Sequence, residues 1–179
     1  MQVFTTPIDD LLIIQPKVHK DGRGFFFETY QFERYRELLG ITHNFVQDNY
    51  SHSKQNVLRG LHFQVKNPQG KLVRAVKGKI YDVAVDIRRE SSTFLEWFGL
   101  ELSEKNKKQL WVPPGFAHGF LVLSTFADLE YKCTEYYKSE DEGCMIWNDQ
   151  TVGIDWPCRD PSLSDKDNLG LSAKELFKL

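Results

Sequence analysis

The sequence contains little cysteine and almost no net charge. Its three cysteines are odd in number and form no C-x-x-C pair, so they indicate neither a disulfide framework nor a zinc knuckle. The 23 basic and 25 acidic residues leave a net charge of −2. A nucleic acid partner is not expected, because binding to its backbone requires a basic face. These deficits predict a protein of a reducing compartment, which we take to be the cytoplasm.

Long hydrophobic runs, linkers and repeats are also missing. The longest uncharged apolar stretch, 119–127, is too short to span a bilayer. The first ten residues do not follow the basic-then-apolar pattern of a signal peptide, so we expect no membrane partner. With only 12 glycines and 7 prolines and no low-complexity tract, residues 1–179 are predicted to form one continuous domain with a full core and a ligand pocket.

The sequence does contain many short segments rich in Val, Ile, Phe, Tyr and Trp, each bounded by turn residues. They predict ten strands, at 11–14, 24–30, 57–64, 71–76, 79–87, 98–102, 109–112, 119–123, 128–133 and 144–147. So many short strands predict a mostly β, antiparallel sandwich or barrel whose mouth is the expected ligand site. Helical periodicity occurs only at 31–39, ended by Gly40, and at 172–179, where Ser172 and Glu175 have the spacing of a capping box. Both helices are expected to be peripheral.

Two histidines lie in patterns that resemble a metal-binding motif. Alternation along 57–64 puts its residues on two faces, Leu58, Gly60, His62 and Gln64 on one and Val57, Arg59, Leu61 and Phe63 on the other. His118 ends a P-x-G-x-x-H turn that resembles the second cupin motif. However, Gln64 and Lys71 stand where metal-binding cupins have a histidine and a glutamate, and an ammonium group repels a divalent cation. The prediction is therefore a site without metal or cofactor.

The remaining polar residues suit proton transfer beside a carbonyl group. Histidine titrates near neutral pH and can remove a carbon-bound proton when a cation stabilises the enolate. A neutral tyrosine on the opposite side can return the proton. The groups expected to face the barrel interior are the base candidate His62, the cations Arg59, Lys71 and Arg74, and the phenols Tyr131, Tyr136 and Tyr137.

Eight motifs, in order along nearly the whole chain, resemble the dTDP-4-dehydrorhamnose 3,5-epimerase family. They lie at 23–28, 45–49, 57–64, 69–74, 81–88, 109–113, 115–120 and 163–167. The resemblance implies an antiparallel, cupin-like jelly-roll barrel with short peripheral helices. It also implies an isomerase that epimerises C3 and C5 of dTDP-4-dehydro-6-deoxy-D-glucose, without a cofactor, to dTDP-4-dehydro-L-rhamnose.

The resemblance also implies a role for individual residues. His62 would be the base, Asp167 its orienting partner, Lys71 the group that stabilises the enolate, and Tyr131 the proton donor. Tyr137 would stack on thymine. The other substrate-contacting positions would be Arg23, Glu28, Gln47, Asp48, Asn49, Arg59, His118, Glu142 and Lys166. Family members are homodimers that exchange N-terminal strands, so Arg23 and Glu28 are expected to serve the neighbouring subunit.

Other interpretations of the same residues stay open. His62 could be a hydrogen-bonded core histidine, and the tyrosines could be strand aromatics that only pack. The chain could be a single-site 3- or 5-epimerase of a related nucleotide sugar. It could also be a metal-dependent cupin oxygenase or isomerase, or a module that binds a nucleotide sugar without chemistry.

Overall fold

The computed structural model describes residues 1–179 and contains thirteen strands, three short α-helices and one 3-10 turn. The strands are β1 (Gln2–Thr5), β2 (Leu12–Gln15), β3 (Val18–Asp21), β4 (Gly24–Phe27), β5 (Gln47–Lys54), β6 (Leu58–Gln64), β7 (Lys71–Lys77), β8 (Lys79–Asp86), β9 (Trp97–Ser103), β10 (Gln109–Val112), β11 (Phe116–Val122), β12 (Phe126–Cys133) and β13 (Glu142–Cys144). The helices are α1 (Phe32–Leu39), α2 (Asp165–Asn168) and α3 (Ala173–Phe177), and the 3-10 turn is Ser139–Asp141. None of the helices is long and apolar enough to cross a membrane.

The strands form two large antiparallel sheets that pack face to face. The six-stranded sheet has the order β1-β2-β10-β7-β12-β5, and the five-stranded sheet has the order β13-β6-β11-β8-β9. Strands β3 and β4 form a separate hairpin. One apolar cluster draws on both large sheets, with Val73 and Leu129 from the first and Ile80 and Phe120 from the second. The main core therefore lies between the sheets, and the prediction of an antiparallel two-sheet fold is confirmed.

Two further clusters cover the outer faces of the sheets. Helix α1 packs Tyr35 against Trp111 on the six-stranded sheet. The C-terminal segment packs Trp156 and Phe177 on the five-stranded sheet, where they meet residues such as Val83. Because this apolar contact holds the last part of the chain against the sheet, it also brings α2 next to β6.

Both predicted helices are confirmed, although α3 ends at Phe177, two residues before the predicted end. Gln31 caps α1, and Gly40 ends it in the left-handed region at φ 63°, where glycine has no Cβ penalty. Ser172 and Glu175 form the expected capping box at the start of α3. The four-residue helix α2 was not predicted, because so short a segment shows no periodicity.

All ten predicted strand regions contain a strand, but three strands were missed. Strands β1, β3 and β5 have no counterpart in the prediction, and β13 ends at Cys144, where the predicted strand begins. Strand β5 is the instructive case. Its sequence, QDNYSHSK, contains no Val or Ile, because one of its faces meets solvent and the other lines a polar cavity. A search for apolar alternation cannot find such a strand.

An irregularity in β6 corrects the predicted faces of that strand. Strand β11 pairs His118 with His62 but Phe120 with Arg59, so β6 contains one extra residue between these pairs. Strict alternation predicted that Leu58 shares a face with His62. Because of the extra residue, Leu58 instead packs with Leu61 in the cluster on the outer face. The same shift turns Arg59 toward β5, where its Nε atom donates to Ser53 Oγ at 2.9 Å.

The two strands approach closely at a pair of glycines. A Cβ on Gly119 would lie 2.7 Å from the carbonyl oxygen of Arg59, and one on Gly60 would lie 2.6 Å from the Cα of Gly119. Since backbone cannot move aside as a flexible side chain can, side chains do not fit here. The two strands that approach here are β6, which carries His62, and β11, which carries His118.

We predict that Gly119→Ala lowers the unfolding free energy by about 1–3 kcal/mol, the usual cost of overpacking. In a chain of this length each kcal/mol lowers Tm by about 2–4 °C, which calorimetry will detect. Gly22→Ala is the matched control, because nothing lies within 4 Å of its added Cβ. An unchanged Tm for Gly119→Ala would contradict the close approach of the strands.

Candidate active site

A cavity of about 270 Å³ opens between the two sheets at the end that the apolar core leaves free. The six-stranded sheet and the five-stranded sheet both contribute polar residues to it. Its lining consists of Gln47, Asn49, His62, Phe63, Gln64, Gln69, Lys71, Tyr131, Tyr137 and Glu142. A cavity so rich in hydrogen-bonding groups is suited to a polar ligand.

His62 and Asp167 form a hydrogen-bonded pair at the wall of the cavity. Nε2 of His62 lies 2.6 Å from Oδ1 of Asp167, and Oδ2 of that carboxylate accepts from Ser164 Oγ at 2.7 Å. Burial favours a raised pKa for Asp167, but the hydrogen bonds from His62 and Ser164 outweigh burial and hold the pKa below its ordinary value. Asp167 is only 3% exposed and is ionised, so it accepts the proton on Nε2.

This hydrogen bond decides which nitrogen of His62 can act as a base. With Nε2 donating to Asp167, the neutral imidazole has its free lone pair on Nδ1. Nδ1 lies 4.0 Å from Oε1 of Glu142, too far for a hydrogen bond. The structure therefore presents an oriented imidazole with one unoccupied basic nitrogen.

Lys71 is a buried cation without a hydrogen-bond partner. It is 8% exposed, and its residue lies on the inner face of β7 with Val73 and Ala75. Burial lowers its pKa, while the buried carboxylate of Asp82 acts in the opposite direction. An ammonium group in this setting is available to an oxygen atom of a ligand.

A second histidine–aspartate pair lies behind the cavity. Nε2 of His118 is 2.9 Å from Oδ1 of Asp82, and Asp82 is fully buried between the sheets. Its other oxygen, Oδ2, has no hydrogen-bond partner. This carboxylate supplies buried negative charge that acts on Lys71, and the sequence analysis did not single it out. The sequence did contain a signal for Asp82, because this carboxylate interrupts the apolar residues of β8.

Tyr131 faces His62 from the opposite sheet. It lies on β12, whose inner face also carries Leu129 and Cys133. Burial raises the pKa of Tyr131 above its ordinary value. The phenol therefore keeps its proton at neutral pH and can donate it.

The rim of the cavity consists of a linked polar group. Glu142 accepts from the hydroxyl of Tyr137 at 2.9 Å and from Nζ of Lys166 at 2.8 Å. Burial favours a raised pKa for Glu142, but Lys166 and Tyr137 outweigh burial and lower it. Tyr137 is 51% exposed, so part of this residue is accessible to a ligand beside the cavity.

The structure brings half of the fourteen sequence-derived site residues into the cavity lining. These are Gln47, Asn49, His62, Lys71, Tyr131, Tyr137 and Glu142. Asp167 and Lys166 do not line the cavity but are hydrogen-bonded to the lining residues His62 and Glu142, respectively. His118 lies deeper, and Arg59 lies close enough for its charge to lower the pKa of Tyr131 against the dominant effect of burial.

Three of the fourteen residues lie outside this cavity. Arg23 pairs with Asp21 in the β3–β4 hairpin, with its side chain 91% exposed. Glu28 pairs with Arg34 of α1. The carboxylate of Asp48 accepts from Nζ of Lys132 on the outer face of the six-stranded sheet.

Two further expectations about the interior were wrong. Arg74 was expected to face the barrel interior but pairs with Glu130 on the outer face, because it lies an odd number of residues from Lys71 along the same strand. Tyr136 is exposed and does not line the cavity. Its carbonyl oxygen accepts from Gln64.

The residues at the metal-binding positions of cupins do not fit a metal ion. Lys71 is a cation, and Gln64 uses its amide nitrogen and oxygen to hold Asn67 and Lys138. His118 directs Nε2 to Asp82. Of the four positions, only His62 offers a free lone pair toward the cavity, and one neutral ligand beside an ammonium group cannot hold a divalent cation.

The two antiparallel sheets, with a polar cavity at one end that contains acid–base groups, define a cupin-type jelly roll. A family model described as dTDP-4-dehydrorhamnose 3,5-epimerase matches residues 5–175. The chain belongs to this family of isomerases.

Individual relatives are similar over almost the whole chain. The dTDP-4-dehydrorhamnose 3,5-epimerase of Salmonella typhimurium is 56% identical over 169 residues, which are 93% of this chain and 92% of that protein. The crystal structure of a 3,5-epimerase of Legionella pneumophila, in complex with dTDP-4-keto-L-rhamnose, has a TM-score of 0.93 and 52% identity, covering 96% of this chain and 92% of that one. A 3'-monoepimerase of Streptomyces bikiniensis, in complex with dTDP-quinovose, has a TM-score of 0.88 and 29% identity, covering 97% and 90%. The predicted cupin-like jelly roll is confirmed.

We predict that Lys71→Met stabilises the fold. The substitution removes a buried, unpartnered charge, and the gain should be on the order of 1–3 kcal/mol near neutral pH. The folded state lowers the pKa of Lys71 and so binds fewer protons than the unfolded chain. The cost of the charge is therefore present at neutral pH and declines as pH rises toward the ordinary lysine pKa.

Thermal unfolding of both proteins at several pH values tests this. The Tm gain of Lys71→Met should be largest near neutral pH and should shrink as the pH rises toward the ordinary lysine pKa. Lys54→Met, at an exposed position of β5, should show no such gain. A lower Tm for Lys71→Met at neutral pH would contradict the account of Lys71 as a destabilising charge.

Proposed function

We propose that the chain epimerises C3 and C5 of dTDP-4-dehydro-6-deoxy-D-glucose to dTDP-4-dehydro-L-rhamnose, and that it needs neither a metal nor a cofactor. The observation that carries the proposal is the placement of three groups around one cavity. A histidine oriented by a buried carboxylate lies on one sheet, a protonated tyrosine lies on the other, and an unpaired ammonium group lies between the sheets.

The first step is proton removal by His62. C3 and C5 are both adjacent to the C4 ketone, so loss of a proton from either carbon gives an enolate. Nδ1 of His62 accepts that proton, and the ionised Asp167 stabilises the resulting imidazolium through Nε2. General base catalysis of this kind contributes about 10²–10⁴ to the rate.

Lys71 stabilises the enolate. Negative charge develops on the C4 oxygen as the proton leaves, and a fixed cation in a poorly solvated site is worth more there than in water. Because Lys71 has no partner within the chain, it can meet this oxygen without first breaking a salt bridge.

Tyr131 returns a proton to the opposite face of the sugar. His62 and Tyr131 come from facing sheets, so a ring bound between them is deprotonated on one side and reprotonated on the other. The raised pKa of Tyr131 keeps the phenol protonated before this step. Such transfer inverts the stereocentre.

The nucleotide end of the substrate would lie over the rim. A cavity of about 270 Å³ is at the small end for a whole drug-sized ligand, so we place only the sugar inside it. The exposed ring of Tyr137 would stack on thymine, with Glu142 and Lys166 beside it. Gln47, Asn49 and Arg59 would hydrogen-bond to the ligand, and His118 supports the floor of the cavity.

We also propose that the active form is a homodimer. The β3–β4 hairpin exposes Phe25 and Phe26 and carries Arg23 away from the cavity of its own chain. In a dimer Arg23 and Glu28 would reach the partner's rim, where the guanidinium fork of Arg23 suits pyrophosphate oxygens. The three free cysteines are compatible with a cytoplasmic location.

Proton exchange with solvent tests the catalytic proposal. When chelator-treated protein is incubated with dTDP-4-dehydro-6-deoxy-D-glucose in deuterated water, we expect NMR to show deuterium at C3 and C5. His62→Asn should slow this exchange at least about 10²-fold. His52→Asn is the matched control, because His52 also pairs with an aspartate, Asp128, but lies on the outer face of the sheet.

The alternative functions give different results in the same experiment. Deuterium at one carbon only would identify a single-site epimerase, the activity named for the 29% identical structural relative. Undiminished exchange in His62→Asn would exclude His62 as the base. Tight binding of the nucleotide sugar with no exchange would identify a binding module.

Complementation between two inactive chains tests the dimer. We predict that Arg23→Ala and His62→Asn are each impaired, and that their co-expression restores about a quarter of wild-type activity, because hybrid two-fold dimers contain one intact cavity. Arg36→Ala, which changes an exposed arginine of α1, should remain active by itself. No recovery in the co-expressed sample would contradict a shared site.

A further inference from the structure

A thiol lies beside the histidine–aspartate pair at the wall of the cavity. Strand β13 pairs with β6 so that Cys144 lies directly opposite His62. Helix α2 brings Asp167 to the same point. Ligand atoms of these three residues all lie within 4.8 Å of one another. The proposed reaction uses His62 and Asp167 but has no role for the thiol.

Sulfur, imidazole nitrogen and carboxylate oxygen are the donors that zinc-like cations prefer. Four-coordinate Zn²⁺ has bonds of about 2.0–2.3 Å to such atoms, so its ligand atoms lie about 3.5 Å apart. The N–O distance of 2.6 Å would have to widen by about 1 Å, and the sulfur would have to move slightly inward. The half-buried side chains of His62 and Cys144 leave a path from solvent.

The charges also balance. A thiolate and the carboxylate of Asp167 would neutralise a divalent cation, and His62 would be a neutral ligand. Close by, Lys166 is already paired with Glu142. Lys71 stands at a ligand position of metal-binding cupins but is not part of this site. The ligand from His62 would be Nε2, the nitrogen that faces Asp167 on α2.

We propose that His62, Cys144 and Asp167 form an inhibitory site for a thiophilic divalent cation such as Zn²⁺. Binding would release the thiol proton of Cys144 to solvent. Coordination through Nε2 would move the imidazole proton to Nδ1, the nitrogen that serves as the base. The cation would also break the hydrogen bond between His62 and Asp167. Inhibition therefore rests on the proposed function, whereas binding of the cation does not.

Cobalt provides a direct test of binding. Co²⁺ replaces Zn²⁺ in such sites and gives a thiolate-to-metal charge-transfer absorption in the near-ultraviolet. We expect this band to saturate at one equivalent of Co²⁺ in the wild-type protein and in Cys158→Ser, whose thiol is also half-buried but lies elsewhere. Cys144→Ser should lose the band.

Inhibition is measured separately, as the loss of deuterium exchange when Zn²⁺ is added. Wild type and Cys158→Ser should be inhibited with equal sensitivity, and a chelator should reverse the effect. Cys144→Ser, compared with its own metal-free rate, should require at least about 10-fold more Zn²⁺. If Cys144→Ser does not fold, Cys144→Ala takes its place. Asp167→Asn, which removes a charged ligand, should weaken the cobalt band and gives a second comparison.

The outcomes separate the two proposals. Absence of the band in wild type, or its persistence without Cys144, would overturn the cation site. A Cys144-dependent band with unchanged deuterium exchange in Zn²⁺ would overturn inhibition and, with it, the role of His62 as base. If the metal-free protein shows no exchange at all, the proposed reaction fails, while the cobalt band still decides whether the site exists.

Discussion

The ammonium group of Lys71 lies between two sheets without a hydrogen-bond partner, and the rest of the fold must remain stable in spite of it. Burial opposes its charge, and the nearby carboxylate of Asp82 only partly compensates. Three apolar clusters, one between the sheets and one on each outer face, supply the burial that offsets this cost. The site is therefore a region of unfavourable electrostatics within an otherwise well-packed sandwich, as expected where charge must be available to a ligand.

The same packing explains how a residue from the end of the chain reaches the middle of the site. Trp156 and Phe177 bury their rings on the five-stranded sheet, and between them Ser164 caps the short helix that carries Asp167. The carboxylate then meets His62 on β6. Orientation of the histidine thus depends on apolar contacts some distance from the cavity.

The sequence predicted the apolar elements well and the polar ones poorly. Strands with Val, Ile and aromatic residues, and helices with caps, were found because their periodicity reflects burial. Strand β5 was missed because Gln47 and Asn49 face a polar cavity, which leaves no apolar alternation to detect. Arg74 was wrongly assigned to the interior because its charge was considered without its place in the alternation of β7. It alternates with Lys71 and Val73 along one strand, and this parity points it outward. The extra residue in β6 could not be predicted, since only the pairing with β11 reveals it.

The two nitrogens of His62 connect these observations. One nitrogen is committed to a buried carboxylate, which leaves the other free to face the cavity. In a metal-binding cupin the corresponding histidine would direct its lone pair to an ion, and the neighbouring ligands would be a histidine and a carboxylate. Here Gln64 and Lys71 replace those ligands, so the lone pair stays available for a proton. The exchange of a carboxylate for an ammonium group at position 71 changes the sign of the charge that the cavity offers. A cavity that could hold a cation becomes one that stabilises an oxyanion, and the same jelly roll then supports proton transfer in place of metal chemistry.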